Sequence, residues 1–163
     1  MSTLNATIRF LIDGTFVKAL DLTTPQERIA IAESQAFANG TGANQGNEFF
    51  TDNETLDNTQ KTYDLLSGEV NAFGEALVFD KVRALFIHNK ETDVNTSLAI
   101  TGDAIANNTW ISADASHFVG AGGWYIALNP VDGYQITATI QHKLTIITTN
   151  VEVEYDLIIV GTT

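Results

Sequence analysis

The 163-residue sequence has no cysteine. Disulfide staples, thiolate nucleophiles and cysteine-based metal sites are therefore excluded together. Proline occurs only twice and no low-complexity run is present, which argues against long disordered stretches. Only 17% of residues are charged, and eight Lys and Arg face twenty Asp and Glu, for a net charge of −12. Affinity for nucleic acid comes mainly from cations that neutralise phosphates, so no nucleic-acid partner is expected. An anionic membrane surface is disfavoured for the same reason. No apolar run approaches the roughly 20 residues that span a bilayer. Residues 1–5 show no basic region followed by an apolar run, so no signal peptide is expected.

What is present points to β-structure. The hydrophobic fraction of 44% is ordinary for a globular chain, and a single domain is the expectation at this length. Thr and Asn are plentiful, as suits half-exposed strands and turns. Short alternating runs at residues 96–101, 110–112, 124–128, 134–139 and 143–148 are separated by turn signals such as Asn129-Pro130 and Asp132-Gly133. In the last run, Val151, Val153, Tyr155, Leu157 and Ile159 form one face, and Glu152, Glu154 and Asp156 the other. About ten strands with no long helix and no βαβ alternation predict an all-β antiparallel sandwich or barrel.

At the N-terminus, residues 7–12 and 15–20 alternate around Asp13-Gly14, a dipeptide suited to a two-residue hairpin turn. Such a turn would pair Phe10 with Val17 on one face, and Arg9 with Lys18 and Leu11 with Phe16 on the other. Arg9, Phe16 and Lys18 are therefore the candidate partner-binding residues. The expected division is a hairpin arm over residues 1–22 and a sandwich over 23–163.

Residues 24–38 carry helix-start signals in Thr24, Pro25 and Glu27, yet also fit a strand, and the strand is preferred among β neighbours. A strand is expected at residues 48–51, an acidic loop at 52–58 and another strand at 61–66. Between residues 76 and 88, Leu77 and Phe79 have one parity, and Val82, Ala84, Phe86 and His88 the other. A bulge or tight bend near Asp80-Lys81 is therefore predicted.

The constellations that carry chemistry fail on spacing. Gly40, Gly42 and Gly46 lack the dinucleotide pattern and are not followed by a helix signal. His88, His117 and His142 are scattered without a close pair; a cupin-like metalloenzyme would need them to converge from separate strands. Ser116 and His117 are adjacent, so in a strand they point to opposite faces and cannot form a triad with Asp114. Glu152 and Glu154 read as a solvated face rather than a catalytic pair. Asp52, Asn53, Glu54, Asp57 and Asn58 offer oxygens to calcium but miss the EF-hand pattern. Trp110, Trp124, Tyr125 and Tyr134 would serve a carbohydrate-binding module if an indole lay exposed on a flat sheet, although Trp124 and Tyr125 must face opposite ways. Neither enzymatic activity nor a cofactor is expected.

Three segments carry a resemblance. Gly40, Thr41, Gly42, Ala43, Asn44 and Gln45 are followed by residues 49–56, Phe-Phe-Thr-Asp-Asn-Glu-Thr-Leu. Asn71, Ala72, Phe73 and Gly74 precede residues 77–87, and the chain closes on residues 153–161. These resemble small virion proteins of tailed bacteriophages, similar to single jelly-roll head decoration, or cement, proteins. The likeness runs over residues 37–161 and leaves the N-terminal hairpin outside. It implies a jelly roll on the outer capsid surface, made in the bacterial cytoplasm. It also implies the major capsid protein as partner and a homo-oligomer, dimer or trimer.

Overall fold

A computed structural model of the chain describes residues 3–17, 26–102, 116–138, 142–148 and 151–163. Among the described residues the regular structure is entirely β, in twelve strands. The expected all-β, antiparallel architecture is present.

Two sheets face each other. One is built from β4 (Glu48–Asp57), β12 (Glu152–Thr162), β6 (Lys81–Asn89), β9 (Trp124–Leu128) and the two-residue β10 (Tyr134–Gln135), with both β9 and β10 pairing β6. The other has the order β5 (Gln60–Asp64), β11 (Lys143–Thr148), β7 (Ser97–Gly102), β8 (His117–Gly120). The antiparallel partners are β4 with β12, β5 with β11, β6 with β9 and β7 with β8. Successive pairs lie in alternate sheets. One long antiparallel ribbon is thus rolled into two layers, which is a jelly roll.

Alternation explains the core. Val153, Tyr155, Leu157 and Ile159 are buried on one face of β12, as their parity requires. They meet Leu144 and Ile146 of β11 and Leu98 and Ile100 of β7, which come from the opposite sheet. The chain bends at Asp80, and β6 carries an extra residue where Val160 pairs Ala84 but Gly161 pairs Val82. These two adjustments resolve the parity conflict. Leu77, Phe79, Val82, Leu85 and Ile87 all reach the main core, while Ala84 turns to the other side of the sheet.

The N-terminal segment departs from the expected hairpin. Asp13 and Gly14 make no turn. They lie inside one continuous strand, β1 (Ala6–Val17), which pairs antiparallel with β2 (Gln26–Asn39) over twelve residue pairs. Phe10 stands opposite Glu33 rather than Val17, and the Asp13 carboxylate accepts hydrogen bonds from Arg28 at 3.3 and 3.0 Å. A twelve-residue ladder outcompetes a local turn preference. From residue 26 onward β2 realises the strand reading of residues 24–38.

The arm is anchored at its base. β2 ends beside β3 (Gln45–Gly46) in parallel, and Phe37, 1% exposed, packs with Leu4, Ala6 and Ile8. Ala84, Phe86, Leu128 and Val160, on the outer face of the larger sheet, complete this second cluster. The segment expected as an acidic loop is also a strand. Residues 52–57 continue β4 and pair with β12 throughout. Their side chains alternate, so Asp52 and Glu54 share the inward parity of Phe50 and Leu56.

Candidate functional site: an uncovered arm and an aromatic shelf

Beyond its anchored base, the arm is a ribbon of two strands. The register places Phe10, Ile12 and Phe16 of β1 on one face with Ile29 and Ile31 of β2. Phe16 is 72% exposed and Ile12 60%, and Ile29 and Ile31 are also exposed. The opposite face carries Arg9, Leu11, Asp13 and Val17 with Arg28 and three alanines, Ala30, Ala32 and Ala36. Because β1 is continuous, Arg9 and Phe16 lie on opposite faces instead of sharing one. Lys18 lies outside the described residues.

A second surface lies on the outer face of the larger sheet. One row crosses four strands in register: Asn53 (β4), Asp156 (β12), His88 (β6) and Trp124 (β9). Trp124 is 58% exposed and stacks on His88, with ring centroids 4.0 Å apart and planes at 11°. Asn53 donates to Asp156 at 2.8 Å and to Glu154 at 3.2 Å. Lys90 donates to Glu154 as well, and that bond first, then the one from Asn53, holds the Glu154 carboxyl below its ordinary range. Tyr125 turns the other way and packs against the core, so the two neighbouring aromatics face opposite sides as expected. Trp110 lies outside the described residues.

Inside the sandwich edge is a directional polar chain. Tyr63 donates to Asp52 at 2.8 Å, and its single proton is thereby committed, so Tyr155 is the donor across the 2.7 Å phenol contact. Lys61 donates to Asp52 at 2.8 Å and also to Glu54. Burial, then the bond between the two phenols, pushes the Tyr63 hydroxyl far up; burial pushes Tyr155 up to about 12. Burial alone would lower Lys61, but its hydrogen bonds to Asp52 and Glu54 outweigh that and raise it. Both phenols and the ammonium stay protonated near neutrality, so none of the three supplies a base there.

The remaining sequence candidates stay apart. Asp52 and Glu54 point inward with Lys61 between them, while Asn53 points outward, so the proposed calcium oxygens are split between two faces. His88 lies on the outer sheet face, whereas His117 sits on β8 against Tyr125, with centroids 5.1 Å apart. The His142 carbonyl accepts a bond from the Leu65 amide at 2.6 Å, beside a different strand pair. Among the described residues no three His, Cys, Asp or Glu gather to hold a metal. Asp114 lies outside the described residues. In the glycine loop, the Gln45 carboxamide lies against Gly40 and Gly42 and accepts a bond from the Gly42 amide at 2.8 Å. Gly40, at φ 142°, would place a Cβ 2.5 Å from that same side chain.

Sequence reasoning passed over Arg83. It is 2% exposed, and the extra residue in β6 aims it at two loops. Its guanidinium donates to the carbonyls of Thr41 (3.2 Å), Gly42 (3.0 Å), Pro130 (3.3 Å) and Val131. The only available signal was a cation inside an apolar strand, flanked by Val82 and Ala84.

No protein-family model, curated protein or solved structure matches this chain. Among the described residues, no helix is long and apolar enough to cross a membrane.

Proposed function

We propose that this chain is a structural virion component, a decoration (cement) protein of a tailed bacteriophage that binds the major capsid protein on the outer head surface. It acts without catalysis and without contact to the packaged DNA, and is made in the bacterial cytoplasm. A ligand that binds only the assembled lattice stabilises it by mass action, which is how such a protein would reinforce the particle. The observation that supports this reading is the arm: a compact jelly roll carries a ribbon on which Leu11, Ile12, Phe16, Ile29 and Ile31 stand exposed beyond the anchored base. An isolated two-stranded ribbon is at best marginally stable in water, so a surface elsewhere is expected to cover it. The resemblance of residues 37–161 supplies the capsid as that setting. Mixing the purified protein with empty capsids of its own phage and sedimenting them tests the reading. Co-sedimentation that saturates with added protein is expected; protein left in the supernatant at every ratio would reject it.

A second reading, a carbohydrate-binding module of receptor-binding or adhesin type, is favoured by Trp124. The indole is exposed on the outer face of the larger sheet in line with Asp156 and Asn53. A sugar ring stacked on it would find polar groups along the same row. Binding on a glycan array that is abolished by Trp124→Ala is the expected result under this reading, and an array without hits would remove it.

A further inference from the structure

We infer that the turn over residues 71–75 is a docking knob: Phe73 enters an apolar pocket of a partner protein, and a lysine or arginine on the rim of that pocket meets Glu48 and Glu75. The identity of the partner, the major capsid protein, rests on the virion reading. The residues that touch it follow from three observations.

The first is a rigid tip. Between β5 and β6 the chain makes a small hairpin, closed by the Val70–Ala76 bridge and held to the body by the buried Leu65, Leu77 and Phe79. The Asn71 side chain accepts bonds from the Phe73 and Glu75 amides at 2.9 and 3.0 Å and donates to the Glu75 carboxylate at 2.8 Å. The Asn71 amide donates to the Glu75 carbonyl, and the Gly74 amide to the Asn71 carbonyl, both at 2.9 Å. A tip already fixed in this way loses little conformational entropy on binding.

The second is what the tip presents. Phe73 is 81% exposed, more than any other Phe, Tyr or Trp among the described residues. Alternation puts Val70, Ala76 and Val78 on the outer side of the hairpin, opposite the buried Leu77 and Phe79, and all three are exposed. An aromatic anchor beside smaller apolar contacts suits the centre of a protein–protein interface.

The third is charge. Glu75 stands two residues from Phe73. Burial, and then the Glu75 charge, holds the Glu48 carboxyl above its ordinary range, so the two carboxylates lie within electrostatic reach of each other. Among the described residues no Lys or Arg forms an ion pair with either. Elsewhere the chain meets its own acids: Lys61 pairs with Asp52 and Glu54, and Lys90 with Glu154. The Glu48 and Glu75 pair is left to a cation from outside. The rim of the pocket is therefore basic, and a second copy of this chain, at −12, is the wrong occupant. Glu48 opens β4 just after β3, which pairs with the end of β2, so the knob and the root of the arm lie at one end of the sandwich.

The test sediments the full chain with empty capsids of its own phage at low and at raised salt, as wild type, Phe73→Ala, Glu48→Gln and Val94→Ala. Val94, 88% exposed on the loop before β7, controls for the loss of an exposed apolar side chain elsewhere. Phe73→Ala is expected to weaken binding roughly tenfold or more with an unchanged unfolding midpoint. Glu48→Gln is expected to weaken it less and to flatten its salt dependence, and Val94→Ala to bind as wild type does. A Phe73→Ala variant that binds like wild type, or a Val94→Ala variant that loses as much, would overturn the inference and leave the virion reading standing. Wild type that stays in the supernatant would overturn both.

Discussion

The hydroxyl of Tyr155 lies 2.7 Å from that of Tyr63, and the Tyr63 hydroxyl donates a hydrogen bond to Asp52. Three strands, β12, β5 and β4, are joined by this one chain of bonds. Its direction makes the two phenols unequal. Tyr155→Phe removes a donor and leaves Tyr63 bonded to Asp52, so a loss of about 1 kcal/mol is expected. Tyr63→Phe removes the middle of the chain and leaves both the Tyr155 hydroxyl and Asp52 short of a partner, so about 2 kcal/mol or more is expected. Once Tyr63 is gone, Tyr155→Phe should cost little. A double-mutant cycle by urea denaturation reads this coupling, and equal, additive losses would contradict the direction assigned.

The same pair predicts a stability loss in alkali. Burial raises Tyr155 from 10.0 to about 12, so the folded state holds its proton more tightly than the unfolded chain does. The contribution is fully present below pH 10 and disappears as pH rises through about 12. Wild type is expected to lose more stability between pH 9 and pH 11.5 than Tyr155→Phe, which lacks the group. Urea midpoints measured at both pH values check this, and parallel losses in the two proteins would refute it.

Arg83 fixes the loops beneath the arm through carbonyls alone, without a carboxylate among its bonds. Arg83→Met fills much of the volume but leaves the Thr41, Gly42, Pro130 and Val131 carbonyls short of donors. A loss of about 2–4 kcal/mol is expected, below what an orphaned countercharge would add. Amide exchange should accelerate first at the Asn44 amide, which bonds to the Pro130 carbonyl at 2.8 Å. Uniform acceleration over the whole sandwich would show that the residue supports the core rather than the loops.

Features that depend on nearest neighbours could be read in the sequence. The runs 124–128 and 143–148 are strands with those bounds, and the parity of β12 identifies its buried face. The parity conflict around Asp80 announced a bend because a strand cannot bury both sets on one side. Features set by distant partners were not legible. Residues 52–57 look like a loop until β12 supplies ten cross-strand partners for β4, and only that register brings Asp52 to Tyr63 and Lys61. Arg9 and Phe16 were grouped by a local turn rule, and a partner strand more than ten residues away put them on opposite faces. The buried role of Arg83 depends on two loops that sequence order keeps some forty residues from it on either side.

Glycine substitutions test the correction at the arm directly. In a two-residue hairpin turn Gly14 would need positive φ, and Gly14→Ala would cost about 1 kcal/mol. In the continuous strand its φ is not positive and an added Cβ meets nothing within 4 Å. Alanine there is expected to be neutral or stabilising by up to about 0.5 kcal/mol, through the lower entropy of the unfolded chain. Gly161 is the contrasting case. A Cβ there would lie 2.4 Å from the Lys81 carbonyl oxygen and 2.5 Å from the Phe79 ring, where β12 crosses the irregular end of β6. Backbone must shift to admit it, so Gly161→Ala is expected to cost about 2 kcal/mol or more. Thermal and urea unfolding of the two variants measure both effects, and a destabilised Gly14→Ala would restore the turn at Asp13-Gly14.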